Sequence, residues 1–260
     1  MKYTFHVPTQ QYGFLEIEGE DKDLPAMEKA YNKYAEKPIN FKGKGSKGIK
    51  MQAWVGGEIW FDEAAHVYTN DAGDVYLSGS KYADSFNTPF DSETISLKVA
   101  EKAGVDQTAI VAMWNMKREI SVGLGLAIHG ALELRGKYAH LADKTTKDYS
   151  QHDHPVIKQA VDSFFKGRKE QAIYEALVVD HDRKYAGQID RLSKVGETYY
   201  VEDFKTNADM PAAKLKDYWK QLSFYASILE AGGKKVGGLK IHHWNGGEWK
   251  THEHKLMEVV

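Results

Sequence analysis

Between Lys184 and Thr206 the sequence reads KYAGQIDRLSKVGETYYVEDFKT, with Asp190 in one strand-like run and Asp203 and Lys205 in the next. Residues two apart in a strand point to the same side. Asp203 and Lys205 therefore share a face, while Phe204 points into the opposite layer and offers only its carbonyl oxygen nearby. With Asp190 entering from the neighbouring strand, two carboxylates and a carbonyl make an all-oxygen environment suited to Mg²⁺ or Mn²⁺. Such an ion lowers the pKa of a bound water and holds a phosphoryl oxygen, and an ammonium close by offsets the charge of the transition state. That chemistry is hydrolysis of a phosphodiester. The same residues also describe a surface hairpin with an Asp–Lys pair, and D-x-K alone does not separate the two.

The elements that must position these residues follow from periodicity and turn chemistry. Strands are expected at 172–179, 184–192 and 198–205, with the turn 193–197 joining the last two through Gly196. A helix follows over 211–230, with Pro211 in its first turn and Gly232-Gly233 beyond its end. Leu215, Trp219, Leu222, Ala226 and Leu229 recur at helical spacing as its buried stripe. Lys214, Gln221 and Tyr225 lie along a second line, so this helix can present a cation, an amide and a phenol beside the D-x-K strand. A solvated polar face is the alternative for those three. Upstream, Asp106 caps a long helical region reaching Tyr138, with an interruption expected near Gly123 and Gly125. Gly125 stands one turn before His129 and removes bulk from the same face, letting a neighbour approach. Glu133, on the His129 face, reads as a salt-bridge residue.

Further toward the N-terminus, a helix capped by Asp91 is expected to about Ala103, and a helical passage opens at Ser78-Gly79-Ser80. The runs 65–69 and 75–77 read as a hairpin, with His66 a structural residue on one arm. Strands at 2–7 and 12–18 and a helix from Pro25 to about Lys37 form a small ββα unit, followed by a Gly/Lys linker over 41–50. Terminal strands are expected at 237–241, Trp244 and 249–254. The expected fold class is α/β, a central mixed sheet flanked by helices, with residues 1–50 as an accessory module and 51–260 as the main domain.

Composition narrows the function. The 260 residues carry 35 Lys and Arg against 37 Asp and Glu, for a net charge of −2, so a globally basic nucleic-acid binder is disfavoured but a local basic groove is not. There is no cysteine, which removes disulfides, thiolate zinc and iron–sulfur clusters. No run approaches the roughly 18 apolar residues of a membrane span, and the first residues are too polar for a signal peptide, so a cytoplasmic location is expected. His152, His154, His242, His243, His252 and His254 are read as surface or core histidines rather than zinc ligands, because a closed zinc site needs about four ligands. Trp244 and Trp249 flank a turn and are read as packing residues.

In order along the chain, Glu175, Tyr185-Ala186-Gly187-Gln188-Ile189-Asp190, Asp203-Phe204-Lys205-Thr206 and Gln221-x-x-x-Tyr225 resemble the PD-(D/E)XK nuclease superfamily. The nearest look is to its RecB-like exonuclease branch, which includes phage exonucleases and the mitochondrial genome maintenance exonuclease. Trp114 and the run Gly125 to His129 match the same group, the resemblance covers roughly residues 66–230, and Ile189 replaces the Pro of the superfamily's name. The resemblance implies His129, Asp190, Asp203 and the Phe204 carbonyl as metal ligands for Mg²⁺ or Mn²⁺. It implies Lys205 as the catalytic lysine and Glu175 as an acidic accessory of the catalytic set. Gln221 and Tyr225, with Lys214, would shape the site and engage DNA. The implied activity is hydrolysis of single-stranded DNA or duplex ends, in recombination, repair or replication. A recombination or single-strand-binding protein is a possible partner for residues 1–50. Two rivals stand beside it: a non-catalytic nucleic-acid-binding protein on the same fold, and a nuclease active only within a recombination complex.

Overall fold

A computed structural model describes residues 2–9, 13–20, 22, 48–63, 65–87, 90–140 and 151–259, with the backbone alone for 2–9 and 13–20. Strands β1 (Lys2–Thr9) and β2 (Gly13–Glu20) pair antiparallel, from Lys2 opposite Glu20 to Thr9 opposite Gly13, in a two-stranded sheet of their own. The helix expected to Lys37 lies outside the described residues, as does most of the expected linker. Its last two positions, Ile49 and Lys50, belong instead to strand β3 (Ile49–Gln52), whose backbone is paired with that of the next strand.

The main sheet has nine strands. After β3 come β4 (Glu58–Asp62), β5 (Val67–Thr69), β6 (Val75–Ser78), β7 (Gln171–Asp180), β8 (Tyr185–Val195), β9 (Thr198–Lys205), β10 (Lys235–Trp244) and β11 (Trp249–His254). The order runs β11-β10-β9-β8-β6-β5-β4-β3, with β7 paired to β8. Pairings of β9 with β10 and of β6 with β8 are parallel and the rest antiparallel. The expected mixed α/β sheet is therefore present. A parallel bridge from Val55 to Val178 brings the chain after β3 back onto β7, so β3 to β6 curl around a small core that includes Ile59, Tyr68, Tyr76 and Val179.

Helices α1 (Gly79–Asp84), α2 (Ser92–Ala103), α3 (Gln107–Tyr138), α4 (Pro155–Phe165) and α5 (Ala212–Ala231) flank the sheet. The expected caps are in place: Asp91 accepts from the Thr94 N–H at 3.0 Å and Asp106 from the Thr108 N–H at 2.8 Å. The expected break near Gly123 and Gly125 is absent, and α3 runs unbroken for 32 residues, about 48 Å at 1.5 Å per residue. A helical glycine costs about 1 kcal/mol against alanine, too little to stop a helix docked on a core through Ile128, Ala131 and Leu132.

Helix α5 crosses from β9 to β10 and lays Trp219, Leu222, Ala226 and Leu229 on Ile189, Leu192, Val201, Leu239 and Ile241. Leu222 and Leu229 are fully buried, each stabilising by about 2 kcal/mol, so α5 is a firm wall rather than a surface appendage. On another cluster, Phe204 packs with Ile128, Phe164 and Trp244, in the layer opposite to Val201 as alternation requires. Trp249 lies 5.4 Å from Trp244, the rings tilted by 46°, and donates its indole N–H to the Ala160 carbonyl at 2.7 Å, so both tryptophans are packing residues.

Candidate active site

Strand β8 carries β7 along one edge and two different partners along the other. On that second edge it pairs with β6 at Tyr185 and Ala186, and with β9 from Arg191 to Val195. Between these, Gly187 to Asp190 have no strand partner on that edge, and β9 beyond Glu202 is likewise free of β8. The sheet forks there. Asp190 bridges the fork by accepting the Phe204 N–H at 2.9 Å, so the carboxylate substitutes for a missing ladder bond. This carboxylate is thereby fixed a short reach from Asp203.

A cavity of 230 Å³ occupies the fork, lined by His129, Glu175, Gly187, Gln188, Asp190, Asp203, Lys205, Gln221 and Tyr225, with His66, Tyr68, Ser78 and Ser80 on the β5–β6 side. The His129 Nδ1 is 3.4 Å from Asp190 Oδ2, and Lys205 Nζ is 2.6 Å from Asp203 Oδ2. The ammonium also sits 4.6 Å from the centre of the Tyr218 ring. His129 reaches this position because Gly125 has no side chain: a Cβ there would lie 2.8 Å from Thr206 Oγ1, just past the end of β9. Glu133 pairs with Lys137 at 2.5 Å, as a salt bridge.

Glu175 arrives by a strained backbone. Its φ is +52°, left-handed for a non-glycine residue, and it falls between the paired Tyr174–Arg191 and Ala176–Ile189 positions, opposite Asp190. Such strain persists only where the surroundings impose it. Tyr225 forms another wall. Its ring lies against the backbone of Gly79 and Gly187, where a Cβ would come within 2.6 Å and 2.3 Å of it, and its hydroxyl accepts from Gln221 Nε2 at 3.3 Å. Burial pushes the phenol pKa up, so it stays protonated. Lys214 does not line the cavity; it is exposed in the first turn of α5, two turns before Gln221.

Electrostatics in the fork are unfavourable as they stand. Burial pushes Glu175 up to about 8, with Asp190 and Glu133 adding to the shift. Burial likewise raises Asp203 to about 6; Lys205 pulls the other way and Asp190 adds to the rise. Burial opposes the charge on Lys205, but Asp203 and Asp190 outweigh it and hold the ammonium above its usual range. Asp203 Oδ2, though paired with Lys205, has no hydrogen bond of good geometry. Clustered carboxylates with a buried, unsatisfied oxygen are the donor chemistry of a hard divalent cation, and the residues fit one in type. Among the described residues no three acidic or histidine side chains are already gathered around a single point.

A model of the PD-(D/E)XK nuclease superfamily matches residues 117–257, more than half of the chain. The chain belongs to the PD-(D/E)XK nuclease superfamily. Compared with curated proteins, it gives no significant match. Membership points to a nuclease acting on nucleic acid with a divalent metal such as Mg²⁺, which PD-(D/E)XK nucleases generally use.

Within this PD-(D/E)XK fork, His129, Glu175, Asp190, Asp203, Lys205, Gln221 and Tyr225 are brought together, and Lys214 is not. The sequence reading placed His66 on a hairpin arm as a structural residue; it lies instead in the turn before β5, with φ +50°, exposed at the cavity wall. Tyr68, Ser78, Ser80 and Gln188 were not singled out as site residues. Ser78-Gly79-Ser80 was a legible signal, read only as a helix start. Of the other histidines, His242 bonds Glu202 and Thr251, His243 bonds the Asn207 carbonyl at 2.6 Å and His254 stacks on Trp219, while the buried Nε2 of His252 has no hydrogen-bond partner among the described residues.

Proposed function

We propose that the protein is a divalent-metal-dependent DNA exonuclease of the RecB-like kind, hydrolysing phosphodiester bonds of single strands or duplex ends. The observation that carries this reading is the fork, which gathers Glu175, Asp190, Asp203 and Lys205 in one cavity beside His129. His129, Asp190, Asp203 and the Phe204 carbonyl would hold Mg²⁺ or Mn²⁺, which supplies a water of lowered pKa and a Lewis acid for the phosphoryl oxygen. The imidazole makes the donor set more hospitable to Mn²⁺ than an all-oxygen set is.

The side chains do the rest. Lys205, charged and held beside Asp203, orients the attacking water and offsets charge growing on the phosphate. Asp203 and Asp190 keep that ammonium protonated, so it acts as a donor and not as the base. Glu175, with its pKa near 8 in the metal-free cavity, is the group able to hold a proton there. Water oxygen bonds to phosphorus and gives up a proton to solvent, the bond to the leaving nucleoside oxygen breaks, and that oxygen in turn takes up a proton from solvent. Gln221 and Tyr225 shape the wall against which the strand lies. Residues 1–50 are proposed as an accessory module that recruits a recombination or single-strand-binding protein, and deleting residues 1–47, which leaves β3 whole, would remove that recruitment while leaving cleavage of naked DNA.

The test uses DNA labelled at the 5′ or the 3′ end, single- or double-stranded, with Mg²⁺ or Mn²⁺. The wild type releases short products from one end, and Asp203→Ala and Lys205→Ala release none while remaining folded. Full activity in either variant removes the site assignment. Absence of cleavage by the wild type under every condition favours a binding protein on this fold.

A further inference from the structure

Residues 85–87 and 90–91, between α1 and α2, and the first half of α3 carry aromatic rings that the cavity does not use. Phe86 and Phe90 are 51% and 67% exposed, and both rings sit on that one short segment. Lys220 Nζ lies 4.4 Å from the centre of the Phe86 ring. Phe90 stands 6.1 Å from Trp114 at an angle of 57°, and these two rings line a groove of 600 Å³ with Asn115, Lys117, Arg118 and Ser121. Among the described residues no acidic side chain lines this groove. Asp91, next to Phe90, is engaged as the cap of α2. Single exposed apolar residues need no explanation, but rings interleaved with cations that have no acidic partner among the described residues are the surface that nucleic-acid bases and phosphates fill.

Helix geometry connects this groove to the cavity. Arg118, Gly125 and His129 are spaced by seven and then four residues, so they fall near one face of the unbroken α3. Arg118 stands about 16 Å from His129 along the axis. That is about five nucleotides at the ~3.4 Å per-strand spacing of a stacked strand.

We propose that the groove is a platform for a single DNA strand, with bases stacking on Phe90 and Trp114 and phosphates meeting Lys117 and Arg118. It takes the identity of the polymer from the nuclease reading above and adds where the strand beyond the cavity is held. Stacking on an aromatic side chain is worth roughly tenfold or more in affinity per base. The groove therefore makes affinity rise with strand length once the strand is long enough to reach it.

The probe is fluorescent oligo(dT) of 4 and 12 nucleotides, bound to the full chain in EDTA so that no cleavage occurs. The wild type binds the 12-mer at least about tenfold tighter than the 4-mer. Phe90→Ala removes most of that gain and leaves the 4-mer unaffected; its melting temperature is unchanged because the ring is exposed. Trp114→Phe, which keeps a stacking ring, retains more of the gain than Trp114→Ala. Arg118→Gln lowers the salt dependence by about 0.7 in log–log slope, the share of one phosphate on a single strand. The proposal is overturned if Phe90→Ala and Arg118→Gln bind the 12-mer as the wild type does, or lose affinity equally for both lengths. It is also overturned if the wild type shows no gain with length. Cleavage separates the two readings: a protein that cleaves nothing but shows the gain keeps the groove and loses the nuclease reading, and one that cleaves without the gain does the reverse.

Discussion

Glu202 and Asp203 are neighbours on β9, 1% and 5% exposed, and their carboxylates are driven in opposite directions. Burial works against the Glu202 carboxylate, yet His242, Arg191 and Ser193 hold its pKa down at about 2. Asp203, on the other face, is pushed up by burial to about 6 even with Lys205 beside it. The same split divides Asp190 from Arg191 on β8. Behind the sheet, Arg191 and Glu202 form a buried ion pair, extended by Tyr174, Glu170, His242 and Thr251. In front, carboxylates face one another with one ammonium among them. Glu202 and Asp203 are both buried, so between these two the supply of donors decides the outcome. The back cluster has its charges compensated as folded, and the front leaves carboxylate charge uncompensated. The back cluster also sits at the last paired position before the fork, Arg191 opposite Glu202, where it can fix how far Asp190 and Asp203 stand apart.

The largest effect expected from this contrast is on chemistry. Lys205→Ala or Asp203→Asn should lower cleavage by about a thousandfold or more, the scale of losing an electrostatic group at a phosphoryl centre. Single-turnover rates measure it. Urea unfolding of the metal-free Asp203→Asn protein should show a smaller loss than the back substitutions, because a poorly compensated carboxylate goes while Asp190 remains to offset the Lys205 charge. The mirror substitutions behave oppositely. Glu202→Gln or Arg191→Met alone should cost about 3–5 kcal/mol in urea unfolding, since each leaves a buried charge without its partner. Replacing both, with Arg191→Met and Glu202→Leu together, should cost less than either alone. A front substitution that destabilised as much as a back one would erase the distinction.

The pH dependence of stability should split in the same way. Glu202 has its folded pKa depressed, so its contribution is whole above the unfolded value of about 4.3 and is lost as pH falls toward 2. Glu175 has its folded pKa raised, so its contribution is whole below about 4.3 and is lost as pH climbs toward 8. In EDTA the wild type should therefore lose stability between pH 5 and pH 8 relative to Glu175→Gln, by about 2 kcal/mol once partial solvent screening is allowed for. Urea midpoints at the two pH values give the difference. Adding Mg²⁺ should shrink it, because a cation supplies what the carboxylate lacks.

What was legible in the sequence follows the same physics. Strand alternation put Asp203 and Lys205 on one face and Phe204 on the other, and helical spacing found the α5 stripe, because both depend on local period alone. The fork was not legible. It arises where β6 and β9 share one edge of β8 without meeting, a property of strand order that no single segment carries. The left-handed φ values of Glu175 and His66 were hidden for the same reason, since residues of these types take such conformations only under tertiary constraint. Tyr225 could be placed on a helix line, but not its wedging against Gly79 and Gly187, which come from β8 and from the start of α1.

Gly125 offers the finest test, because its effect on the fold and its effect on the site should part company. Gly125→Ala gains helix propensity of about 1 kcal/mol in α3 but puts a methyl 2.8 Å from Thr206 Oγ1, so stability should move by less than about 1 kcal/mol either way. The strain instead moves α3 away from the end of β9, and His129 rides on that helix, 3.4 Å from Asp190. A displacement of a fraction of an ångström at a positioned group is expected to lower cleavage by about tenfold. Thr206→Ala removes the atom the new methyl meets, so the double variant should recover most of the lost rate while unfolding at nearly the same urea concentration. Failure of that rescue would mean that the glycine serves only helix packing and that His129 does not depend on it.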